Sequence, residues 1–371
     1  MDQPVTAPAD PGRPAPPRTA AVRRPDPAAP GMLRGVRYVL PLRWSQDAGL
    51  AELAAYLEQV VQWLPVTVVD GSAPERRAAH RRAFPAAVEH VVPDPWPGRN
   101  GKVAGVMTGI RRAREERIVL ADDDVRHTRA SLERIAALLE EAEAVRPQNY
   151  YLELPWQARW DTGRTLLARA LGGDHPGTLG VRRSVLLGAG GYDGDVLFEN
   201  LELIRTVRAA GGRERVALDV LVGRVPPDVA HFRGQRVRQA YDDLAQPARL
   251  LAELSLLPVL CWAARRPVRL AVGAGTVCAL AEAGRRRAGG RAVYPATSAA
   301  WAPLWVLERS VCVWAAVLAR CRGGVPYAGA RLRTAGHSTA RLRRRLRAGA
   351  GPAGPEQGSP GTGGAGTGSP G

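Results

Sequence analysis

The chain has 371 residues and a formal net charge of +17, nearly all of it arginine, since Lys102 is the sole lysine. That length accommodates one catalytic domain of roughly 200–250 residues plus an accessory region. The basic balance suits anionic lipid headgroups or nucleotide substrates, and no nucleic-acid-binding motif accompanies it, which argues against nucleic acid as a partner.

Residues 1–30 are rich in Pro, Ala and Arg, and 350–371 form a Gly/Pro/Ser tract; neither buries enough apolar surface to predict packed structure. No apolar core of signal-peptide length occurs near the start, so the catalytic part is expected to stay in the cytoplasm. Residues 36–42 (VRYVLPL) predict a buried strand, and Leu50, Leu53, Ala54, Leu57, Val60 and Val61 recur at helical spacing over 47–63. A second strand, 65–69, ends at Asp70-Gly71-Ser72. A helix and a strand around Val88–Val92 follow, then a helix over 101–116. Ile118–Ala121 predicts a fourth strand, ending in Asp122-Asp123-Asp124, with a helix over 129–144 behind it. The alternation predicts an α/β fold with a largely parallel sheet and helices on both faces. Ligands in such sheets sit at the carboxyl ends of strands, where Asp70 and Asp122–Asp124 fall.

From about residue 246 the pattern changes. Leu250–Ala264, Val268–Ala283 and Ala299–Ala319 are mostly apolar, the last Trp-rich and interrupted by Glu308-Arg309. The first two are short of the roughly 20 residues that span a bilayer, and the third carries a charged pair that is costly in lipid. Imperfect or re-entrant membrane helices compete with a buried helical subdomain, and membrane association is favoured. Arg285–Arg287 and Arg343–Arg345 would face anionic lipid. Cys261, Cys278, Cys312 and Cys321 form no CxxC pair, so no zinc site or disulfide framework is implied. The expected organisation is an unstructured 1–33, a catalytic domain over 34–245, a membrane-associated helical region over 246–331, and a basic, then Gly/Pro-rich disordered tail over 332–371.

Five groups of residues carry candidate chemistry. Carboxylates at i and i+2 after a strand, Asp122 and Asp124, point to one side and can hold a hard divalent cation, or they form a solvated acidic turn. Asp70 suits a base or ribose, or an ordinary Asp-Gly turn. Lys102 opens a helix and suits a phosphate or pyrophosphate. Gly188–Glu202 (GAGGYDGDVLFENLE) leads a flexible loop into a helix whose acids could serve as general base, or simply complement the helix dipole. Gln235, Arg236 and Arg238 could clamp phosphates or an acceptor.

In this order the motifs resemble those of the family-two glycosyltransferases of GT-A fold, especially membrane-bound, ceramide-glucosyltransferase-like members. The resemblance covers about 36–245 and, more loosely, the apolar region to about 331. Leu40-Pro41-Leu42-Arg43 is similar to the opening strand motif, and Val69-Asp70-Gly71-Ser72 to Val-Asp-Asp-Gly-Ser with one Asp missing. Gly101-Lys102-Val103-Ala104-Gly105, with Gly109, resembles the Gly-Lys-x-x-Ala-x-Asn-x-Gly helix start. Asp122 and Asp124 take the two places of the metal-binding Asp-x-Asp. Gly190-Gly191-Tyr192 matches the acceptor-side Gly-Gly-Phe/Tyr. Phe198–Leu203 sits where the family has Glu-Asp-x-Asp-Leu, with Asn200 in place of the Asp often assigned as base. Gln235–Gln239 resembles Gln-x-x-Arg-Trp, with Gln239 in place of Trp. Val325–Arg331 is similar to the Tyr/Trp-Arg-Gly-Arg stretch after the last membrane helix.

The resemblance implies inverting transfer of a sugar from a nucleoside-diphosphate sugar to a lipid or glycan acceptor at the cytoplasmic membrane face. Mg²⁺ or Mn²⁺ held by Asp124 and Asp122 would stabilise the leaving diphosphate. Pro41 belongs to the donor-binding strand end, Arg43 and Asp70 would hold the nucleoside, and Lys102 the sugar-phosphate. Glu199, or else Glu202, would be the base. The departures at Asn200 and Gln239 motivate a second reading, a non-catalytic membrane protein with a degenerate transferase domain. A soluble nucleotidyltransferase, which would release pyrophosphate, is a third.

Overall fold

The structure is a computed structural model that describes residues 31–327 and 330–349. The segments 1–30 and 350–371, both expected to be unstructured, and Ala328-Gly329 of the last motif lie outside the described residues.

The first half alternates as expected: β1 (Val36–Leu42), α1 (Leu50–Val60), β2 (Val66–Asp70), α2 (Pro74–Ala83), β3 (Glu89–Val91), α3 (Gly101–Arg112), β4 (Arg117–Ala121), β5 (Val125–Arg126) and α4 (Arg129–Glu141). Then come β6 (Ala144–Tyr151), α5 (Trp156–Ala170), β7 (Thr178–Arg182), α6 (Arg183–Gly188), α7 (Glu199–Ala209), β8 (Glu214–Arg224) and α8 (Val229–Tyr241). The strands form one eight-stranded sheet in the order β3-β2-β1-β4-β7-β6-β8-β5. β3, β2, β1 and β4 run parallel, as do β6 and β8, whereas β7 is antiparallel to both its neighbours. β5 is antiparallel to β8 at the edge, so the sheet is mostly parallel with antiparallel pairings at β7 and β5 that the apolar runs do not encode.

The strand period of two sorts β1 between two cores. Tyr38, Leu40 and Leu42 pack with Leu53 and Leu57 of α1 and Ile135 of α4, while Val39 faces Val106 and Ile110 of α3. Each such fully buried aliphatic side chain contributes about 1.5–3 kcal/mol. α3 starts at Asn100, whose side chain accepts from Lys102 N–H, satisfying one of the orphan donors of a helix start. α3 lies close on β1 because it carries Gly109 there: a Cβ at that position would come within 2.3 Å of Val39 Cγ1.

The C-terminal part comprises α9 (Pro247–Ala263), α10 (Pro267–Arg286), α11 (Ala302–Cys321), β9 (Val325–Tyr327), β10 (Ala330–Leu332) and α12 (Thr339–Arg347). α11 packs on α5, α8 and α9, and α10 packs on α5. One segment, Ala296–Cys321, is long and apolar enough to cross a membrane, with mean hydropathy 1.4. Its charged pair faces protein: Arg309 is buried against Asp243 at 2.8 Å and Glu253 at 3.6 Å, and Glu308 lies 3.5 Å from Arg236. The opposite side of α11 presents Leu304, Leu307, Val311, Trp314 and Leu318 to the exterior, a single stripe at spacings of three and four.

The basic part of the segment from residue 332 carries packed structure over the described residues. β10 pairs with β9, and α12 packs on α7. Leu197 and Phe198 N–H donate to the carbonyls of Thr334 and Ala335, at 3.0 and 2.9 Å. Periodicity alone did not reveal this because α12 buries a single apolar side chain, Leu342, and is otherwise held by polar contacts.

Candidate active site

A cleft of about 620 Å³ opens at the carboxyl ends of β1, β2, β4 and β8, and α8 and β9 form its far wall. Pro41 and Arg43 continue β1 into it, Lys102 enters from the start of α3, Asp122 from the end of β4, and Glu199 from the start of α7. This is where a doubly wound sheet exposes strand ends and helix N-termini together.

Lys102 is the hub. Its Nζ lies 2.6 Å from Asp122 Oδ1 and 2.6 Å from Glu199 Oε1. Burial works against the ammonium, but the charges of Asp122 and Glu199 outweigh it and hold Lys102 above the ordinary lysine range. Glu199 shows the converse: burial favours its neutral form, yet Lys102 keeps the carboxyl below its usual value. Burial, opposed by Lys102 and assisted by the charge of Asp124, leaves Asp122 above its usual value. Asp122 sits tight against the neighbouring loop, since a Cβ at Gly177 would lie 2.7 Å from its Oδ2, and its N–H donates to Gly177 O at 2.8 Å. Two guanidinium groups on the wall, Arg43 and Arg238, have no carboxylate partner among the described residues, and Arg238 stacks over the Tyr327 ring at 4.9 Å. Gln235 lines the same wall.

Asp124 pairs with Arg224 at 2.7 Å through Oδ2, while its Oδ1 is closed off from solvent and has no hydrogen-bond partner among the described residues. An orphaned carboxylate oxygen beside the like charge of Asp122 fits a hard divalent cation in donor type and in unmet valence. Asp123 is spent differently, accepting from Trp44 Nε1.

Four expected site residues do not line the cleft: Asp124, which lies behind Arg224, and Asp70, Glu202 and Arg236. Asp70 is fully buried: it accepts from Ser72 N–H at 2.9 Å and meets His80 Nδ1 at 2.6 Å and His90 Nε2 at 3.0 Å. Burial disfavours its charge, but the hydrogen bonds from His90, Ser72 and His80 outweigh this and hold the carboxyl well below its usual range. It props the β2 end, and Val69 and Gly71 line the cleft in its stead. Glu202 is turned away from the cleft and bound to His337, whose N–H lies 2.7 Å and Nδ1 2.8 Å from its carboxylate. Asp193 joins this group and takes Arg345 at 2.9 Å, so the cluster is a clasp for α12 and has a guanidinium where a cation would sit. Arg236 is buried in a bidentate pair with Asp161, at 2.7 and 3.1 Å, over the Phe232 ring; it ties α8 to α5.

Other cleft residues went unread in the sequence. Arg224 ends β8 against Asp124, and Asp242 follows α8. The Asp242-Asp243 pair closing a basic helix was a legible signal; Arg224 had none. Tyr327 hydrogen-bonds Asn100 Oδ1 at 2.8 Å, linking β9 to the α3 cap. Asn200 donates to Pro176 O at 3.1 Å, a bond that an ionised aspartate could not make.

An α/β domain with a mostly parallel sheet and acids at its strand ends is the class that fold and cleft define. Residues 53–180 match the family described as Glycosyl transferase family 2. No curated protein matches the sequence. Among solved structures, the fold is similar to a mannosyltransferase from Pyrobaculum calidifontis in complex with GDP-Man and Mn²⁺, at 20% identity and TM-score 0.49 over 75% of this chain and 86% of that one. It is also similar to mannosyl-3-phosphoglycerate synthase from Rubrobacter xylanophilus, at 14% identity and TM-score 0.37, over 58% of this chain and 75% of that one. Glucosyl-3-phosphoglycerate synthase from Mycobacterium tuberculosis, in complex with Mn²⁺, UDP and phosphoglyceric acid, is 13% identical at TM-score 0.37, over 53% and 73%.

Proposed function

We propose that this chain is an inverting glycosyltransferase that moves a sugar from a nucleoside-diphosphate sugar to a lipid or glycan acceptor at the cytoplasmic surface of a membrane. The observation that carries the reading is the cleft itself: Lys102 between Asp122 and Glu199, with Arg43 and Arg238 on the wall free of carboxylate partners among the described residues. Three cations facing one pocket suit a diphosphate. Asp124 and Asp122 would hold Mg²⁺ or Mn²⁺, which supplies charge neutralisation to the leaving diphosphate when bound. The chain's own groups do the rest. Pro41 and Arg43 border the nucleoside end, Lys102 meets the phosphate charge, and Gln235 and Arg238 face the acceptor side.

The membrane part of the proposal is supported by the outer side of α9–α11. Leu251, Trp262, Val268 and Val311 are more than half exposed there, and exposed Arg265 and Arg266 flank Trp262. An apolar face edged by arginines suits helices lying in the interface of an anionic bilayer. With Arg309 and Glu308 turned into the protein, α11 has one lipid-compatible side, which favours an in-plane platform over a separate span.

The test is a donor screen on membranes containing the protein. Nucleoside-diphosphate release from a panel of UDP- and GDP-sugars is measured with Mn²⁺, with Mg²⁺ and with chelator. Release from one donor, lost with chelator, is the expected result. Release of pyrophosphate would instead favour a nucleotidyltransferase. Donor binding with no transfer and no donor hydrolysis would favour a degenerate, non-catalytic domain.

A further inference from the structure

The acceptor side of the cleft lacks a free carboxylate from α7. Asn200 is an amide bound to Pro176 O, Glu199 is bound to Lys102, and Glu202 faces the α12 clasp. Another element supplies one. Asp242, at the C-terminal end of α8, lines the same cleft as Glu199 and Arg238. Its Oδ1 is closed off from solvent and takes no hydrogen bond among the described residues. Its neighbour Asp243 turns the other way, pairing with Arg309 at 2.8 Å and Arg249 at 3.0 Å. A carboxylate oxygen kept dry and unpartnered beside a substrate cleft is costly to fold, which makes a structural role a poor account of it.

Resting on the glycosyl-transfer reading above, we propose that Asp242 is the proton acceptor for the attacking hydroxyl. The acceptor's oxygen bonds to the anomeric carbon of the donor. The bond from that carbon to the diphosphate oxygen breaks, and its electron pair leaves with the nucleoside diphosphate. The hydroxyl proton passes to the Asp242 carboxylate. Glu199 is then a positioning residue. It holds Lys102 in the cleft, and its negative charge makes Asp242 more basic.

The surroundings of Asp242 support this division of labour. Burial first, and then the charge of Glu199, push its carboxyl up to about 7. Arg238 on its own helix, Arg309 on α11 and Arg249 on α9 act in the opposite direction. A base poised near neutrality combines adequate basicity with a large ionised fraction. Glu199, held below its usual value by Lys102, is ionised throughout the neutral range and is the weaker base.

The experiment uses the full chain in membranes and the donor identified from the UDP- and GDP-sugar panel. The kcat for nucleoside-diphosphate release is followed from about pH 5.5 to about 9, the range that brackets a base titrating near neutrality. UDP or GDP affinity is titrated in parallel with Mn²⁺. Wild type should show an acidic limb near pH 7. Asp242→Asn should lower kcat by about 10²–10⁴-fold and erase that limb. Its nucleotide affinity should stay within about twofold, as expected when ground-state binding is untouched. Glu199→Gln should move the limb to lower pH, and Asp242→Glu should restore part of the rate. Asp242→Asn with wild-type kcat and an intact limb would overturn the proposal, as would loss of the limb in Glu199→Gln alone. A melting temperature for Asp242→Asn at or above that of wild type excludes misfolding as the cause. Should wild type neither bind nor turn over any sugar nucleotide, the transferase reading fails and the base assignment falls with it.

Discussion

Strands β2 and β4 are near twins: each is a five-residue, apolar, parallel strand beside β1, and each runs into aspartate. Their carboxylates nevertheless meet opposite fates. Asp70 is sealed between two imidazoles and a backbone N–H, whereas Asp122 lines the cleft and pairs with Lys102, and Asp124 pairs with Arg224 on the cleft wall. The covering elements decide the difference. α2 and β3 bring His80 and His90 over the β2 end, while at the β4 end Asp122 packs against the Gly177 loop and its carboxylate meets Lys102 of α3 in the cleft. A strand-terminal acid is therefore a candidate for chemistry only once its partners are known.

The largest expected effect breaks the β4 side. Asp124→Ala should lower metal-dependent nucleoside-diphosphate release by about a thousandfold, the scale of losing one group that stabilises developing charge. Turnover like that of wild type would remove the functional contrast between the two strand ends. On the β2 side, Asp70→Ala should cost about 3–5 kcal/mol of stability in urea unfolding, the scale for removing one partner of a buried charged cluster. Donor affinity per folded molecule should not change.

The sign of the pH effect follows from the depressed Asp70 carboxyl. Its folded value lies below the unfolded one of about 3.9, so its contribution is complete above that pH and is lost as pH falls toward the folded value. Asp70→Ala should accordingly flatten the acid limb of the stability curve. Asp242 has the opposite sign: its raised carboxyl favours the fold at low pH and opposes it as pH rises through about 7. Asp242→Asn should therefore raise the melting temperature at alkaline pH and leave it unchanged well below the unfolded value.

Smaller effects sharpen the same distinction within one helix. Glu202→Gln should cost about 1–3 kcal/mol through the weakened bond to His337, with kcat nearly unchanged. A dead Glu202→Gln with wild-type stability would move the acceptor chemistry one turn along α7. Ser72→Ala should cost only about 1 kcal/mol, for the Trp44 N–H that Ser72 Oγ accepts.

What was legible in the sequence follows this division. The strands of the first half announce themselves by β-branched runs, and α3 by Asn100 and its buried Val103, Val106 and Ile110. Lys102 stood out because no other lysine exists in the chain. The direction of a side chain was less legible. Glu199 and Glu202 lie three residues apart on α7, and which of them faces the cleft depends on His337, 135 positions later. Arg236 and Arg238 are likewise separated by Asp161 on α5, which claims one and leaves the other. The antiparallel β7 and the return of β10 and α12 rest on pairings remote in sequence, which no local period reports.

The clasp at α12 has a consequence for biosynthesis. Tyr327, on the cleft wall, and His337 and Arg345, which lock onto α7, emerge from the ribosome after α9, α10 and α11. The nascent sheet can fold early, but its pocket is finished by nearly the last described residues to be translated. Under the membrane reading, the lipid-facing helices are made before the active site closes. The enzyme would then acquire its competence at the bilayer rather than in free solution.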